Sequence, residues 1–224
     1  MRRRDMLIAM GLAACNTKQP KKGVLGTSER VNEAIESFLM HDVDPSPRGV
    51  TPQTSYPSYH IAPTVPLTPH DWVLEVNGLV GKQLRLSLDD LKKLPITTTR
   101  IHHYCVEGWS AVAEWTGVRV SEIAKLAGAR DTDYVEFRSF DAPNDASRGY
   151  WSSWDRESAM HGHTLLAFGM NGKPLTAAYG APLRLFGAVK LGYKNVKYLT
   201  EVNFLDRRTG GYWEDKGYEW FAGV

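Results

Sequence analysis

Cysteine is scarce in this chain: its 224 residues include two, Cys15 and Cys105. That excludes a cysteine set for an iron–sulfur cluster, and no C-x-x-C-H marks a covalently attached haem. Also missing are a G-x-x-x-x-G-K-[ST] phosphate loop, a G-x-G-x-x-G turn after a strand and a G-x-S-x-G elbow. Mononucleotide, nicotinamide and serine-hydrolase chemistry therefore lack their usual sequence support. There are no internal repeats and no low-complexity tract, and no apolar run is long enough to span a bilayer as a helix. An excess of charge is missing too. Lys and Arg number 27 against 25 Asp and Glu, for a net charge of +2. The first 14 residues carry Arg2, Arg3, Arg4 and Asp5, which accounts for all of it, so the remainder is formally neutral. A neutral body argues against nucleic acid as a partner.

What is present begins with a leader. Three arginines precede an apolar run from Met6 to Ala14, and Leu12-Ala13-Ala14-Cys15 reads as a lipobox. The pattern suits an export signal over residues 1–14, with Cys15 as a lipid-anchored mature N-terminus and a periplasmic location. The arginine run is similar to a twin-arginine signal, which exports folded proteins. If Cys15 is lipidated, Cys105 has no partner for an internal disulfide. It is then either a buried inert thiol or a nucleophile or metal ligand.

The polar residues 16–30 suit a flexible tether, and residues 15–54 as a whole a tether followed by a wrapping segment. Val31, Ala34, Ile35, Phe38 and Leu39 share one face of a helix for which Ser28 is a candidate N-cap. Seven prolines between Pro45 and Pro69 predict an extended segment. From residue 55 to 224 the pattern is one mixed α+β domain. Its expected strands are W-V-L-E-V-N-G, Y-V-E-F-R-S-F, R-L-F-G-A-V and V-K-Y-L-T-E-V-N-F-L. Short helices are expected at 87–94 and before Gly128. Aromatic residues make up 11% of the chain, which fits an aromatic core or a large ligand cavity.

The chemistry-bearing stretch lies at 179–197. Arg184, Lys190, Lys194 and Lys197 occur there with no acid among them, interleaved with Gly180, Gly187 and Gly192. Clustered cations and exposed backbone N–H groups suit a phosphate. The pairs His102-His103 and His161-Gly162-His163 lack companions at ligand spacing and suit structural or surface roles.

C-V-E-G-W-S at 105–110, W-T-G-V at 115–118 and D-A-P at 141–143 resemble, in this order, the molybdenum-pterin domain of the sulfite oxidase family. So do A-M-H-G-H-T-L-L-A-F-G-M-N-G-K-P-L at 159–175, G-A-P-L-R-L at 180–185 and K-L-G-Y-K-N-V-K at 190–197. The resemblance spans residues 55–218. Periplasmic methionine-sulfoxide reductase catalytic subunits are the branch that shares the C-V-E-x-W-S core. The resemblance implies a sulfite oxidase-like domain of mixed sheets with short helices, holding molybdenum on one pyranopterin. It implies Cys105 as the metal thiolate, a choice that soft-ligand logic supports. It makes Arg184 the pterin-phosphate ligand, with Lys197 and the backbone of Asn195 and Val196 lining the pterin. Ser139, Tyr59 and His60 match further cofactor contacts, and Tyr179 stands where relatives place His or Asn. Glu107, Trp109, His102 and His103 flank the thiol as pocket residues.

The implied activity is a two-electron oxygen-atom transfer to or from a small sulfur-type or other oxide. Its electrons would be exchanged with a c-type cytochrome or a membrane haem protein. Relatives that act on sulfite place an arginine shortly after the cysteine, whereas Val106, Glu107, Gly108 and Trp109 follow it here, which disfavours a dianion. The chain ends soon after the pterin segment, so no dimerisation domain is expected. The alternative is a non-catalytic module of the same fold that binds pterin or a partner.

Overall fold

The computed structural model describes residues 24–39, 47–143 and 149–224. The leader at 1–14 and Cys15 lie outside the described residues. Within them the order is α1 (Val24–Leu39), β1 (Leu74–Gly78), β2 (Leu84–Leu86), α2 (Leu88–Lys92), β3 (Ile96–Tyr104), β4 (Ser110–Arg119) and α3 (Val120–Ala127). Then come β5 (Tyr134–Ser139), β6 (Trp151–Asp155), α4 (Arg156–Met160), β7 (Thr164–Met170), β8 (Lys173–Pro174), β9 (Arg184–Gly187) and β10 (Leu199–Leu205). This is the expected α+β class.

Two five-stranded sheets carry the fold. One has the order β2-β1-β10-β5-β6; the other runs β3-β4-β7-β8, with β9 on β7. The β1–β10 pair is parallel and the remaining named pairs are antiparallel. In β3 the side chains alternate: Thr99, Ile101 and His103 are buried, while Arg100, His102 and Tyr104 face outward or sit half-covered. That period of two turns His103 inward and His102 away. In β4 the register slips between Thr116 and Gly117. A Cβ at Gly117 would lie 2.1 Å from the Leu166 carbonyl oxygen, so only glycine permits this close strand approach.

The short helices follow local sequence logic. Ser87 and Asp90 form a reciprocal capping box at the start of α2. Gly128, at φ +64°, ends α3 in the left-handed region. Two apolar clusters fill the interior. The larger packs β1, β5 and β10 against α3, with Leu74, Val202, Phe204 and Ile123 fully buried. The smaller is aromatic, with Tyr56, Trp115 and Phe186, and lies beneath β3, β4 and β9 at the wall of the main cavity.

Two expectations are corrected in the N-terminal region. Helix α1 begins at Val24, so residues 24–30 are helical rather than tether, and Ser28 sits inside the helix instead of capping it. The helix runs through Gly26 despite that residue's cost of about 1 kcal/mol against alanine in a helix. Its apolar residues Val31, Ile35 and Phe38 are exposed, and an ion pair from Arg208 to Glu33, at 2.9 Å, joins it to the body. From residue 47 onward the proline-rich stretch is irregular apart from one 3-10 turn at Gln53–Ser55, in keeping with an extended segment.

Candidate molybdopterin site

A cavity of about 280 Å³ opens where the segment 56–61 crosses the turn after β3 and the loops flanking β9. Cys105 stands at its edge. The turn that presents it is closed by Cys105 N–H donating to the Trp109 carbonyl at 2.9 Å and Gly108 N–H donating to the Cys105 carbonyl at 3.0 Å. Gly108 takes φ +85° there, a conformation that a side chain would strain. The thiol is half-buried and free, not sealed in the core as an inert cysteine would be. Burial raises its pKa. Metal coordination would displace the proton.

Glu107 lies beside the thiol, its Oε2 3.7 Å from Cys105 Sγ. Trp109 Nε1 donates to the same carboxylate at 3.1 Å, and Tyr59 lines the cavity with it. The nearby Glu107 carboxylate raises the Tyr59 pKa. The mouth of the cavity beside the thiol therefore carries a carboxylate.

Two cations lie deeper. Arg184 is 4% exposed; its guanidinium lies 4.7 Å from the Trp115 ring and donates to the backbone carbonyls of Leu185 and Tyr179. It has no carboxylate partner among the described residues. Burial lowers its pKa, yet a guanidinium keeps its proton in proteins. Lys197 Nζ donates to the Ala178 carbonyl at 2.9 Å and to Ser58 Oγ at 3.2 Å, also without a carboxylate partner among the described residues. Burial first, then Arg184, pushes its pKa down to about 7. Gly180, at φ +100°, lets the 177–180 turn approach both: a Cβ there would lie 2.9 Å from Lys197 Cβ and 3.3 Å from Arg184 Cβ. A buried and a half-buried cation, neither with a carboxylate partner among the described residues, form a site for an anion, because an unpaired charge withdrawn from water is otherwise strongly unfavourable.

The basic cluster read from the sequence divides in two. Lys190 pairs with Asp155 at 2.8 Å, and Lys194, fully buried, pairs with Glu214. These lysines fasten the loop after β9 to the body, and their acids lie 35 and 20 residues away in sequence. Arg184 and Lys197 alone of the four line the cavity.

Tyr59, His60, Cys105, Tyr179, Arg184, Asn195 and Lys197 come together at the cavity. Asn195 offers it backbone, since its side chain is engaged: Oδ1 accepts from Gly187 N–H at 2.6 Å and Nδ2 donates to the Lys190 carbonyl. Val196 is fully buried and its carbonyl accepts from Leu185 N–H. Ser139 stands one step back, its Oγ accepting from Asp141 N–H at 2.8 Å. Neither Val196 nor Ser139 lines the cavity. Glu107, Trp109 and His103 line it; His102 does not. Several lining residues escaped the sequence reading as site residues, Asp141 and Tyr56 among them. Asp141 accepts Ile61 N–H and Ala62 N–H, both at 2.9 Å, and so fixes the segment carrying Tyr59 and His60. Tyr56 is buried behind the thiol among aromatic rings.

A half-open thiol beside a chamber with two uncompensated cations fits a metal held by sulfur on a phosphorylated organic carrier. The oxidoreductase molybdopterin binding domain family matches residues 61–213. YedZ1 of Azospira oryzae, provisionally named a protein-methionine-sulfoxide reductase subunit, is 42% identical over 151 residues, 67% of this chain and 55% of its own length. MsrP of Xanthomonas axonopodis pv. citri, a protein-methionine-sulfoxide reductase catalytic subunit, is 37% identical over 176 residues, 73% of this chain and 54% of its own. The chain thus spans about half the length of these curated relatives. Among solved structures, the sulfane dehydrogenase SoxCD of Paracoccus pantotrophus aligns with a TM-score of 0.56 at 26% identity, over 64% of this chain and 40% of that one. With a family model running from Ile61 to Trp213 across both sheets, the chain belongs to the molybdopterin-binding oxidoreductases of the sulfite oxidase family, and molybdopterin is its cofactor.

Proposed function

We propose that the chain is the catalytic domain of an exported enzyme that reduces a small neutral S-oxide. The substrate R2S=O takes up two electrons and two protons and leaves as R2S and water. The electrons come from a separate haem protein, either a c-type cytochrome or a membrane haem protein. Molybdopterin, when bound, supplies the two-electron redox change. Cys105 would hold the metal, and Arg184 with Lys197 would hold the phosphate end of the carrier. Residues 1–14 would direct export, and Cys15 would carry a lipid anchor.

The observation that carries the choice of substrate is Glu107, whose carboxylate stands 3.7 Å from the thiol. Like charges repel at such range, so a sulfite dianion meets an unfavourable field there, while a neutral sulfoxide does not. The names of YedZ1 and MsrP point the same way. Matured enzyme given a chemical electron donor is expected to turn over methionine sulfoxide faster than it oxidises sulfite. Preferential sulfite oxidation would overturn the reading. Full molybdenum loading with no turnover of any S- or N-oxide would favour the non-catalytic module.

Arg184→Gln tests the anion end. The variant keeps hydrogen-bonding capacity but loses the charge, so matured protein is expected to retain at least about tenfold less molybdenum and pterin per chain. Its own melting temperature should not fall before loading, because an unpaired buried charge has been removed. Unchanged loading would contradict the phosphate role.

A further inference from the structure

Two polar atoms in the cavity wall have no hydrogen-bond partner among the described residues: the Tyr56 hydroxyl and His103 Nδ1. Both side chains are more than nine-tenths buried, Tyr56 being 5% exposed and His103 7%. Buried polar groups in native proteins are nearly always satisfied, so an orphan in a binding cavity awaits a partner that arrives with the ligand.

Tyr56 cannot turn away to find one. Its ring packs edge-on against Trp109, Trp115 and Tyr179, at centroid distances of 6.1, 6.2 and 5.9 Å, and lies 5.6 Å from the His103 ring. Its backbone carbonyl accepts from the Tyr179 hydroxyl at 2.9 Å. Tyr56 lines the same cavity as Arg184 at the anion end and Cys105 at the thiol end. Burial keeps it protonated far beyond neutral pH, so it acts as an O–H donor. The cations already serve an anion, and Glu107 is an acceptor. Trp109 Nε1 is already engaged with Glu107, whereas the Tyr56 hydroxyl is a neutral donor in the same cavity with no partner among the described residues.

Resting on the S-oxide reading above, we propose that Tyr56 determines specificity by donating its hydroxyl hydrogen to the sulfoxide oxygen of substrate bound beside Cys105. A sulfoxide oxygen is a strong acceptor. The thioether product offers only sulfur, a weak one. The same hydroxyl therefore holds substrate and lets product go.

The test uses cofactor-loaded protein without an electron donor, so that bound sulfoxide cannot turn over. Methionine sulfoxide and methionine are each titrated against wild type and Tyr56→Phe, with affinity read from the ligand-induced rise in melting temperature. Phenylalanine preserves the ring packing and removes the donor alone. The expected result is about tenfold weaker binding of the sulfoxide, the size of one hydrogen bond, and unchanged binding of methionine. The ligand-free melting temperature should not fall, because no partner of the hydroxyl has been lost. With the donor supplied, KM for the sulfoxide rises by the same factor. Sulfoxide affinity within about twofold of wild type, equal weakening for both ligands, or a lower ligand-free melting temperature would each overturn the assignment. A wild type that reduces no S-oxide overturns the functional reading and this assignment with it. A wild type that does, with Tyr56→Phe indistinguishable from it, overturns this assignment alone.

Discussion

Cys105→Ser, matured and purified beside the wild type, is expected to lose turnover by on the order of a thousandfold or more. Residues that merely orient a metal ligand are worth about 10–100-fold, so the ligand itself is worth more. The hydroxyl of serine is a hard donor that stays protonated where a metal-bound thiol does not. The fold should survive. The only described partner of Cys105 Sγ is Glu107 at 3.7 Å, and the turn is held by backbone bonds between Cys105, Gly108 and Trp109. Stability measured by denaturant should stay within about 0.5 kcal/mol of wild type, as for changes away from core packing and buried networks. The anion end, 79 positions along the chain at Arg184, is untouched, so pterin should still be retained. Wild-type turnover in this variant, or an unfolded protein, would contradict the assignment.

The second large effect concerns stability. Lys194 is fully buried beneath the loop that carries Asn195 and Lys197, and its ammonium donates to Glu214 and to the Ser153 carbonyl at 2.9 Å. Burial is the main cause that depresses the Lys194 pKa, and Glu214 opposes the shift. Glu214 also accepts from Ser152 Oγ at 2.6 Å, and Trp154 Nε1 donates to the Lys194 carbonyl at 3.0 Å. Glu214→Gln strands a buried cation and is expected to cost about 3–5 kcal/mol in denaturant unfolding. Because the stranded lysine immediately precedes Asn195, which lines the cavity, cofactor loading should fall as well. Replacing both partners, as Lys194→Met with Glu214→Leu, should recover much of the stability, since no buried charge then remains unpaired. A loss below about 1 kcal/mol for Glu214→Gln would show that the pair is not buried as described.

This pair also marks the boundary of what the sequence discloses. Lys190 and Lys194 stand in a stretch free of acids, so they read as part of an anion site. Their partners Asp155 and Glu214 belong to other elements, and pairing at long sequence separation leaves no local trace. Features decided within a few residues were legible. Ser87 and Asp90 announce α2, Gly128 closes α3, and the motif order at 105, 180 and 190 yields the thiol and Arg184. His102 and His103 show a missed opportunity. Once 96–104 is taken as a strand, a period of two admits one of the pair to the cavity. Tyr56 and Asp141 were opaque for different reasons. Tyr56 sits in a proline-rich stretch with no periodicity to reveal which side is buried. Asp141 acts through two backbone N–H groups about eighty residues upstream, which side-chain patterns do not record.

X-ray absorption at the molybdenum edge tests the central claim most directly. Matured wild-type protein should contain molybdenum equimolar with the chain, and its metal–sulfur scattering should be stronger than that of Cys105→Ser prepared in the same way. Equal sulfur scattering in the two proteins, with metal present in both, would contradict the claim that Cys105 holds the metal.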